Sequence, residues 1–388
     1  MKQISESRIL LVDDAKANID ILVAGLKSEY KLSVALDGQM ALQIAERTPP
    51  DLVLLDIMMP GLNGYEVCRQ FREMPAMAEV PVIFLSSLDE AQNKAEGFEA
   101  GANDYVTKPF DMLEVRARVR SLLKAKAYSD AVKELMAAEL RVARDIQMGM
   151  LPHDFSAVEK TYRVSFGAVL EPAREVGGDL YGVCAAGPER LMIFLGDVSG
   201  KGIPASLFMV RAVSLAKLLA RDIAEPELIL ARLNDELSED NPSSMFVTFF
   251  CAVFEPATRR LTLGNAGHCH PLLIPADGPP RLIRDRLGTA LGFESGLKFD
   301  RLELTLAEGD ALVLYTDGVT EAFNPEGELY GDHRLLAEAG DFTRQSAEAI
   351  SAGLLAKVRV FAGTAPQSDD IAILTFKVND AIATGVGT

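Results

Sequence analysis

With 388 residues the chain has room for two or three domains, and 48% hydrophobic residues give each of them material for a core. The formal charge of −17, divided as −5 over residues 1–125 and −12 over the rest, leaves no basic arm and argues against a nucleic-acid surface. Cys68, Cys184, Cys251 and Cys269 form no CxxC pair and read as small buried hydrophobes of a reducing compartment. The N-terminal run lacks a cleavage site, and no stretch reaches the ~18 apolar residues of a membrane span, so a cytoplasmic protein with no membrane contact is expected.

In chain order, residues 8–125 alternate strand-like and helix-like segments. RILLV (8–12), DLVLLD (51–56) and VPVIFLS (80–86) are short apolar runs bounded by turn residues, as buried parallel strands are. A weaker strand covers Leu32 to Ala35 and another precedes Lys108, with helices in the gaps; this alternation predicts a doubly wound α/β sheet. From Met112 to Leu151 the composition is that of one long helix. Val132, Leu135, Val142 and Ile146 form a seam of 3–4 spacing on which Glu139 also falls. Two readings stand side by side there: a dimeric coiled coil, or an amphipathic helix packed on its own domain.

From Thr161 onward strand-like runs dominate: YRVSFGAVL, RLMIFLGDV, MFVTFFCAVF, RLTLGNAG, DALVLYTDGV and IAILTFKV. Helices are expected at about 203–221, 226–237 and 345–361, giving an α+β pattern with antiparallel sheet. The last ten residues read as a frayed tail. The division expected is 1–125, a helical linker over 112–152, and 153–380.

The first constellation of chemistry sits at strand ends. Asp13 and Asp14 follow the first strand, Asp56 ends the third, Ser86 ends the fourth and Lys108 follows the fifth. In a parallel sheet these positions converge at the C-terminal edge, where ligands bind. Three carboxylates there repel one another unless a hard cation such as Mg²⁺ neutralises them, and one can then attack a phosphoryl donor. Any one aspartate alone would read as a helix cap or turn former. Together with VDD, LLDIMMPGLNG, FLSS and GANDYVTKPF, the segment resembles the receiver domain of two-component response regulators. The resemblance implies a flavodoxin-like fold of strand order 2-1-3-4-5. It implies Asp56 as phosphoacceptor, Asp13, Asp14, Asp56 and the Met58 carbonyl as Mg²⁺ ligands, Ser86 as switch hydroxyl, Lys108 as phosphate-binding lysine, and Tyr105 as the aromatic that moves with Ser86. Ser86 stands where threonine is commoner, which keeps the hydroxyl. The implied phosphodonor is a histidine kinase or a phosphotransfer protein.

The second constellation is a set of dispersed aspartates, most flanked by glycine: EVGGDLYG (Asp179), LGDVSGKG (Asp197), LYTDGVTEA (Asp317) and QSDDIAIL (Asp369, Asp370). Singly, DG and GD pairs are turns. Carboxylates with few His or Cys companions point to Mg²⁺ or Mn²⁺ rather than zinc, and two such ions can activate a water against a phosphate. His268, Cys269 and His270 make a poor zinc site, and His268 is expected to bond within the fold. Arg174 has the choice of a substrate phosphate or the surface, and Lys201 lacks P-loop spacing.

With RVARDIQMGMLP, NAGHCHPLL and GTALGF, residues 145–378 resemble the PPM-type protein serine/threonine phosphatases of the SpoIIE and RsbU branch. The resemblance implies a β-sandwich flanked by helices. It implies two Mn²⁺ or Mg²⁺ ions held by catalytic Asp179, Asp197, Asp317 and Asp369 and the Val198 carbonyl, with Asp197 bridging. Asp369 is taken over Asp370 by aligning DDIA with the family's motif. Gly182 replaces an aspartate of the family's GGDxYD, and Ala372 stands where Thr or Ser is usual. The reading is thus a phosphorylation-controlled phosphatase, a homodimer, whose substrate by resemblance is a phosphorylated anti-sigma-factor antagonist of a partner-switching pathway. The rival readings are an adaptor with a non-catalytic phosphatase-like domain that binds a sigma factor, and a dimeric scaffold. An adaptor need not keep all four aspartates, and this chain keeps them.

Overall fold

The computed structural model describes residues 6–87, 97, 99–187, 189–284 and 288–379. It divides into two compact units, Met1–Ala137 and Ala138–Thr388. The expected tail lies almost wholly outside the described residues, as does most of the stretch between the fourth and fifth strands, where a helix was expected.

In the first unit β1 (Arg8–Val12), β2 (Lys31–Ala35), β3 (Leu52–Asp56), β4 (Val82–Ser87) and β5 (Asp104–Lys108) form a parallel sheet of order β2-β1-β3-β4-β5. The period-2 alternation of each strand sorts its apolar side chains to two faces. Leu10, Val12, Val53 and Leu55 meet Ala41 and Ala45 of α2 (Gly38–Arg47) and Val67 and Phe71 of α3 (Gly64–Glu73). Ile9, Leu11, Leu52 and Leu54 meet Leu22 and Leu26 of α1 (Lys16–Leu26) and Val115, Val119 and Leu123 of α4 (Met112–Met150). With both faces covered, β1 and β3 are apolar but for one end residue each, which is why they stood out as unbroken runs, while β2 and β5 carry polar residues and read weakly. Asn63 and Glu66 form a reciprocal capping box at the start of α3, with bonds of 3.0 and 2.9 Å, which fixes where the loop after Asp56 ends.

The long helix α4 runs unbroken through the point of division. At its start Val115, Val119 and Leu123 are buried in the first unit; at its end Gln147 is buried and Leu151, just beyond, joins the core of the second. Between them the seam is bare: Leu135 is 61%, Val142 59% and Ile146 64% exposed. The helix therefore does not pack that face on its own chain among the described residues.

The second unit stacks two antiparallel five-stranded sheets. One has the order β13-β10-β9-β8-β7 and the other β12-β11-β14-β15-β6. The first comprises β7 (Leu180–Ala185), β8 (Leu191–Val198), β9 (Val247–Glu255), β10 (Arg260–Ala266) and β13 (Leu302–Thr305). The second comprises β6 (Val164–Glu171), β11 (Leu272–Ile274), β12 (Arg281–Leu282), β14 (Ala311–Tyr315) and β15 (Ile371–Val378). Phe194 and Leu261 share one core with Phe166, Leu374 and Phe376, and the rings of Phe254 and Phe376 meet edge to face at 5.0 Å. After α5 (Ser156–Tyr162), helices α6 (Ile203–Leu219) and α7 (Pro226–Ser238) cover the outside of the first sheet. The short α8 (Asp317–Thr320), α9 (Gly331–Ala339) and α10 (Ala347–Ala362) cover the second. The expected helices thus lie at α6, α7 and α10. Strand β7, helices α5, α8 and α9 and the two- to four-residue strands β11, β12 and β13 were not foreseen, all being short segments in which a period is hard to read.

Gly182, the departure from the family pattern, has a packing reason. It pairs with Phe194 across β7 and β8, and a Cβ at residue 182 would lie 2.1 Å from Phe194 Cζ. That ring is fully buried and stacks on Phe249 at 5.4 Å, so it has nowhere to go. Gly182→Ala is expected to cost about 1–3 kcal/mol by overpacking. Urea denaturation should show a lower midpoint at unchanged slope; an unchanged midpoint would mean that the ring yields freely.

Candidate functional sites

In the first unit the strand ends bring Asp13, Asp14 and Asp56 together, with one oxygen from each within 4.8 Å of the others. Asp13 and Asp56 are buried and Asp14 is exposed. Lys108 Nζ bridges the two buried carboxylates, 2.8 Å from Asp13 Oδ2 and 2.8 Å from Asp56 Oδ1. Asn18, which the sequence did not single out, donates to both oxygens of Asp13 at 2.9 and 3.0 Å, and the Ala15 amide donates to Oδ1 at 2.9 Å. Burial, helped by the charges of Asp13 and Asp14 and opposed by Lys108, pushes the Asp56 carboxyl up to about 6. Ser86 is buried near the end of β4, and Tyr105 is buried on β5 with its ring 5.7 Å from that of Phe84. Met58 lies in the loop after Asp56 with its side chain 64% exposed, so only its backbone is available to the pocket. Oxygen donors of this number suit a hard divalent cation.

In the second unit Asp179 enters β7, Asp197 lies at the end of β8, Asp317 opens α8 after β14, and Asp369 and Asp370 precede β15. These aspartates come from four separate stretches of chain, and their mutual influence shows in their acidity. Burial first, then Asp317 and Asp369, push Asp197 up to about 7; Asp179, which hydrogen-bonds Asp197, is pushed well up by burial, Asp197 and Asp370. Asp317 is raised by burial, Glu321 and Asp369, and eased by Lys201. The group is looser than the first: among the described residues, only Asp13, Asp14 and Asp56 bring three ligand atoms within 4.8 Å.

The two adjacent aspartates do different work. Asp370 spends both oxygens on backbone amides, accepting from Ala173 and Gly178 at 2.7 Å each. Asp369 turns Oδ2 to Lys201 Nζ at 2.9 Å, and the same ammonium donates to the Ser368 carbonyl at 2.6 Å. Lys201 thus lies against the cluster although it forms no P-loop. The GG pair before Asp179 is required by close approach: a Cβ on Gly178 would lie 2.7 Å from the Val198 carbonyl oxygen and 3.4 Å from Asp197 Oδ1. Those two oxygens therefore face the Gly178 backbone.

Three further residues hold this loop, and sequence reading missed their roles. Thr316 donates to Asp179 Oδ2 at 2.7 Å and accepts from the Ala372 amide at 2.9 Å, so residue 372 contributes its backbone. Asp370 is the second, through Gly178. The third is Gln147 of α4, buried at 4% exposure, whose side-chain amide donates to the Gly177 carbonyl at 2.6 Å and accepts from the Gly177 amide at 3.3 Å. A glutamine in the apolar phase of RDIQMGMLP was the available signal. His268 bonds within the fold as expected, with Nδ1 2.8 Å from Thr248 Oγ1, and burial pushes it down to about 4. Arg174 is exposed on the loop leading to Asp179.

Comparisons with known proteins fit this geometry. Residues 9–120 match the response regulator receiver domain, and residues 187–379 match the Stage II sporulation protein E (SpoIIE) family. Response regulator PleD of Caulobacter vibrioides is 42% identical over 137 residues, 35% of this chain and 30% of PleD. A probable cyclic di-GMP phosphodiesterase of Vibrio cholerae is 41% identical over 130 residues, 34% of this chain and 30% of that protein. The chain thus spans less than a third of the length of either. Among solved structures, the SiaA-PP2C domain of Pseudomonas aeruginosa superposes with a TM-score of 0.57 at 22% identity, covering 64% of this chain and 98% of that one. The RsbU and RsbW domains of Rv1364c from Mycobacterium tuberculosis give 0.50 at 24% identity, covering 55% and 59%. At these identities the likeness is one of fold. The chain joins an N-terminal response-regulator receiver domain to a C-terminal domain of the SpoIIE, PP2C-like phosphatase family.

Proposed function

We propose that phosphorylation of Asp56 controls a Mg²⁺- or Mn²⁺-dependent protein serine/threonine phosphatase in the second domain. The observation that carries the enzyme is the convergence of Asp179, Asp197, Asp317 and Asp369 from four stretches of chain, with Asp179 buried and the neighbouring carboxylates adding to burial in raising Asp179, Asp197 and Asp317. Such a pocket releases protons when cations replace them. Asp179, Asp197, Asp317, Asp369 and the Val198 carbonyl would hold two ions, and Asp13, Asp14, Asp56 and the Met58 carbonyl one Mg²⁺. Bound there, the ions neutralise the carboxylates and supply an activated water against a phosphate ester. Asp369 rather than Asp370 is the ligand, because Asp370 has both oxygens committed to amides.

In the receiver, Asp56 attacks the phosphoryl group of a histidine kinase or phosphotransfer protein. Lys108 meets the charge on its oxygens, the Ser86 hydroxyl turns toward them, and Tyr105 follows. Asp370, Thr316 and Gln147 keep the Gly177–Asp179 loop in place. The exposed seam of α4 pairs with that of a second copy, which makes the protein a homodimer. The substrate is a phosphoserine or phosphothreonine on an anti-sigma-factor antagonist of a partner-switching pathway. The match to the SpoIIE family supports a phosphatase of this branch.

Four outcomes test the reading. A small phosphodonor with Mg²⁺ should label the wild type and leave Asp56→Asn unlabelled. The sign of the acid dependence also follows: below about 6 Asp56 carries a proton that competes with the cation. Calorimetry should show Mg²⁺ affinity falling about tenfold from pH 7 to pH 5 and flat above pH 7. A pH-independent affinity would remove Asp56 from the ligand set.

With Mn²⁺, the wild type should hydrolyse p-nitrophenyl phosphate and phosphoserine proteins, and Asp197→Asn should lose about a thousandfold in rate. An inactive wild type with either metal and a phosphorylated antagonist would favour the adaptor reading.

Gln147→Leu leaves the Gly177 amide and carbonyl without partners, at about 1–3 kcal/mol. Metal-dependent hydrolysis should persist in this variant, while the change in rate on adding beryllofluoride should shrink at least fivefold. Undiminished control would mean that the domains communicate by another route.

A further inference from the structure

A groove of about 560 Å³ runs beside the aspartate cluster of the second domain. Its wall includes Gly318 and Ser368, the chain neighbours of Asp317 and Asp369, and part of its lining is apolar, with Leu170 and Phe323. Two guanidinium groups line it. Arg359 is committed to Glu171, with Nε 3.0 Å from Oε2. Arg144, from α4, is exposed and has neither a hydrogen bond nor an ion pair among the described residues.

Resting on the phosphatase reading, the geometry points to this groove as the seat of the polypeptide next to the phosphorylated residue, with Arg144 pairing an acidic side chain of that segment. The volume is that of a site for a drug-sized ligand, several times what a phosphate needs. Adjacency to Asp317 and Asp369 lets one bound chain fill the groove and present its phosphorylated side chain to the cluster.

Charge decides which chain. Arg144 and Arg359 against Glu171 leave one positive charge. The C-terminal end of α10 at Ala362 also borders the groove and contributes about half a negative charge, so the balance of the lining itself stays positive, apart from Asp317 and Asp369 beside it, whose charge bound cations would offset. Elsewhere a molecule of net charge −17 repels acidic peptides. An unpaired guanidinium offers a carboxylate a bidentate partner, which an ammonium does not reproduce.

The test uses the full chain with Mn²⁺ and two phosphoserine peptides of equal length, one with Asp and Glu around the phosphoserine and one with Asn and Gln in their place. The readout is the ratio of their kcat/KM values. Wild type should prefer the acidic peptide about three- to fivefold, as an exposed ion pair allows. Raising the salt to 0.5 M should narrow the preference. Arg144→Glu should reverse it, and Arg144→Lys should keep part of it. Circular dichroism on both variants checks folding, and if Arg144→Glu does not fold, Arg144→Lys and Arg144→Gln carry the test, with the preference declining from wild type through Lys to Gln. A preference unchanged by these substitutions, or absent in the wild type, overturns the assignment of the groove. A wild type that hydrolyses neither peptide nor p-nitrophenyl phosphate sinks the phosphatase reading instead, and this inference with it.

Discussion

Both sites gather carboxylates around a buried member, Asp13 and Asp56 in one and Asp179 in the other, where each ionisation penalises the next. The constraint is electrostatic and sets what surrounds them. At the receiver pocket one ammonium, Lys108, lies 2.8 Å from two carboxylates, yet burial still wins and Asp56 stays raised to about 6. At the phosphatase cluster Lys201 reaches only Asp369, at the edge, and Asp197 rises to about 7. The receiver pocket carries a counter-charge of its own, in contact with both buried carboxylates. The cluster of the second domain carries less counter-charge for more carboxylates, so more of its repulsion is left uncompensated.

The same constraint separates Asp369 from Asp370. Two adjacent acids entering one strand cannot both face the cluster, because β-strand side chains alternate. Asp370 is turned to the amides of Ala173 and Gly178 and becomes a bracket for the loop that carries Asp179. Its negative charge still weighs on Asp179, so the bracket holds that side chain in place while adding to the repulsion on it.

How much of this was legible follows from the range of the interactions. The receiver read clearly because its central strands are buried on both faces and a polar residue ends or directly follows β1, β3, β4 and β5. Asp13, Asp56, Ser86 and Lys108 are therefore marked by local pattern alone. The aspartates of the second domain were legible through their glycines, which a close backbone approach demands, as at Gly178. What stayed hidden depends on pairing between distant residues: Gln147 with Gly177, Asp179 with Thr316, Asp370 with Gly178. No local period encodes such a contact. The seam of α4 was legible as a 3–4 pattern, but whether its own chain covered it depended on burial, and Leu135 and Ile146 are more than half exposed.

That exposed seam bears on how a signal could travel. Helix α4 is fixed at its start by Val115, Val119 and Leu123 and at its end by Gln147 and Leu151, with little packing between. Each residue of a helix advances about 100° around the axis. A rotation of that size would therefore carry Gln147 off Gly177 entirely, since a hydrogen bond at 2.6 Å does not survive a partial turn. The contact is thus close to all-or-none. Leaving the Gly177 groups unpartnered costs about 1–3 kcal/mol, the range in which allosteric couplings between sites fall. A single buried side chain at the end of the helix is energetically sufficient to couple the orientation of α4 to the loop that presents Asp179.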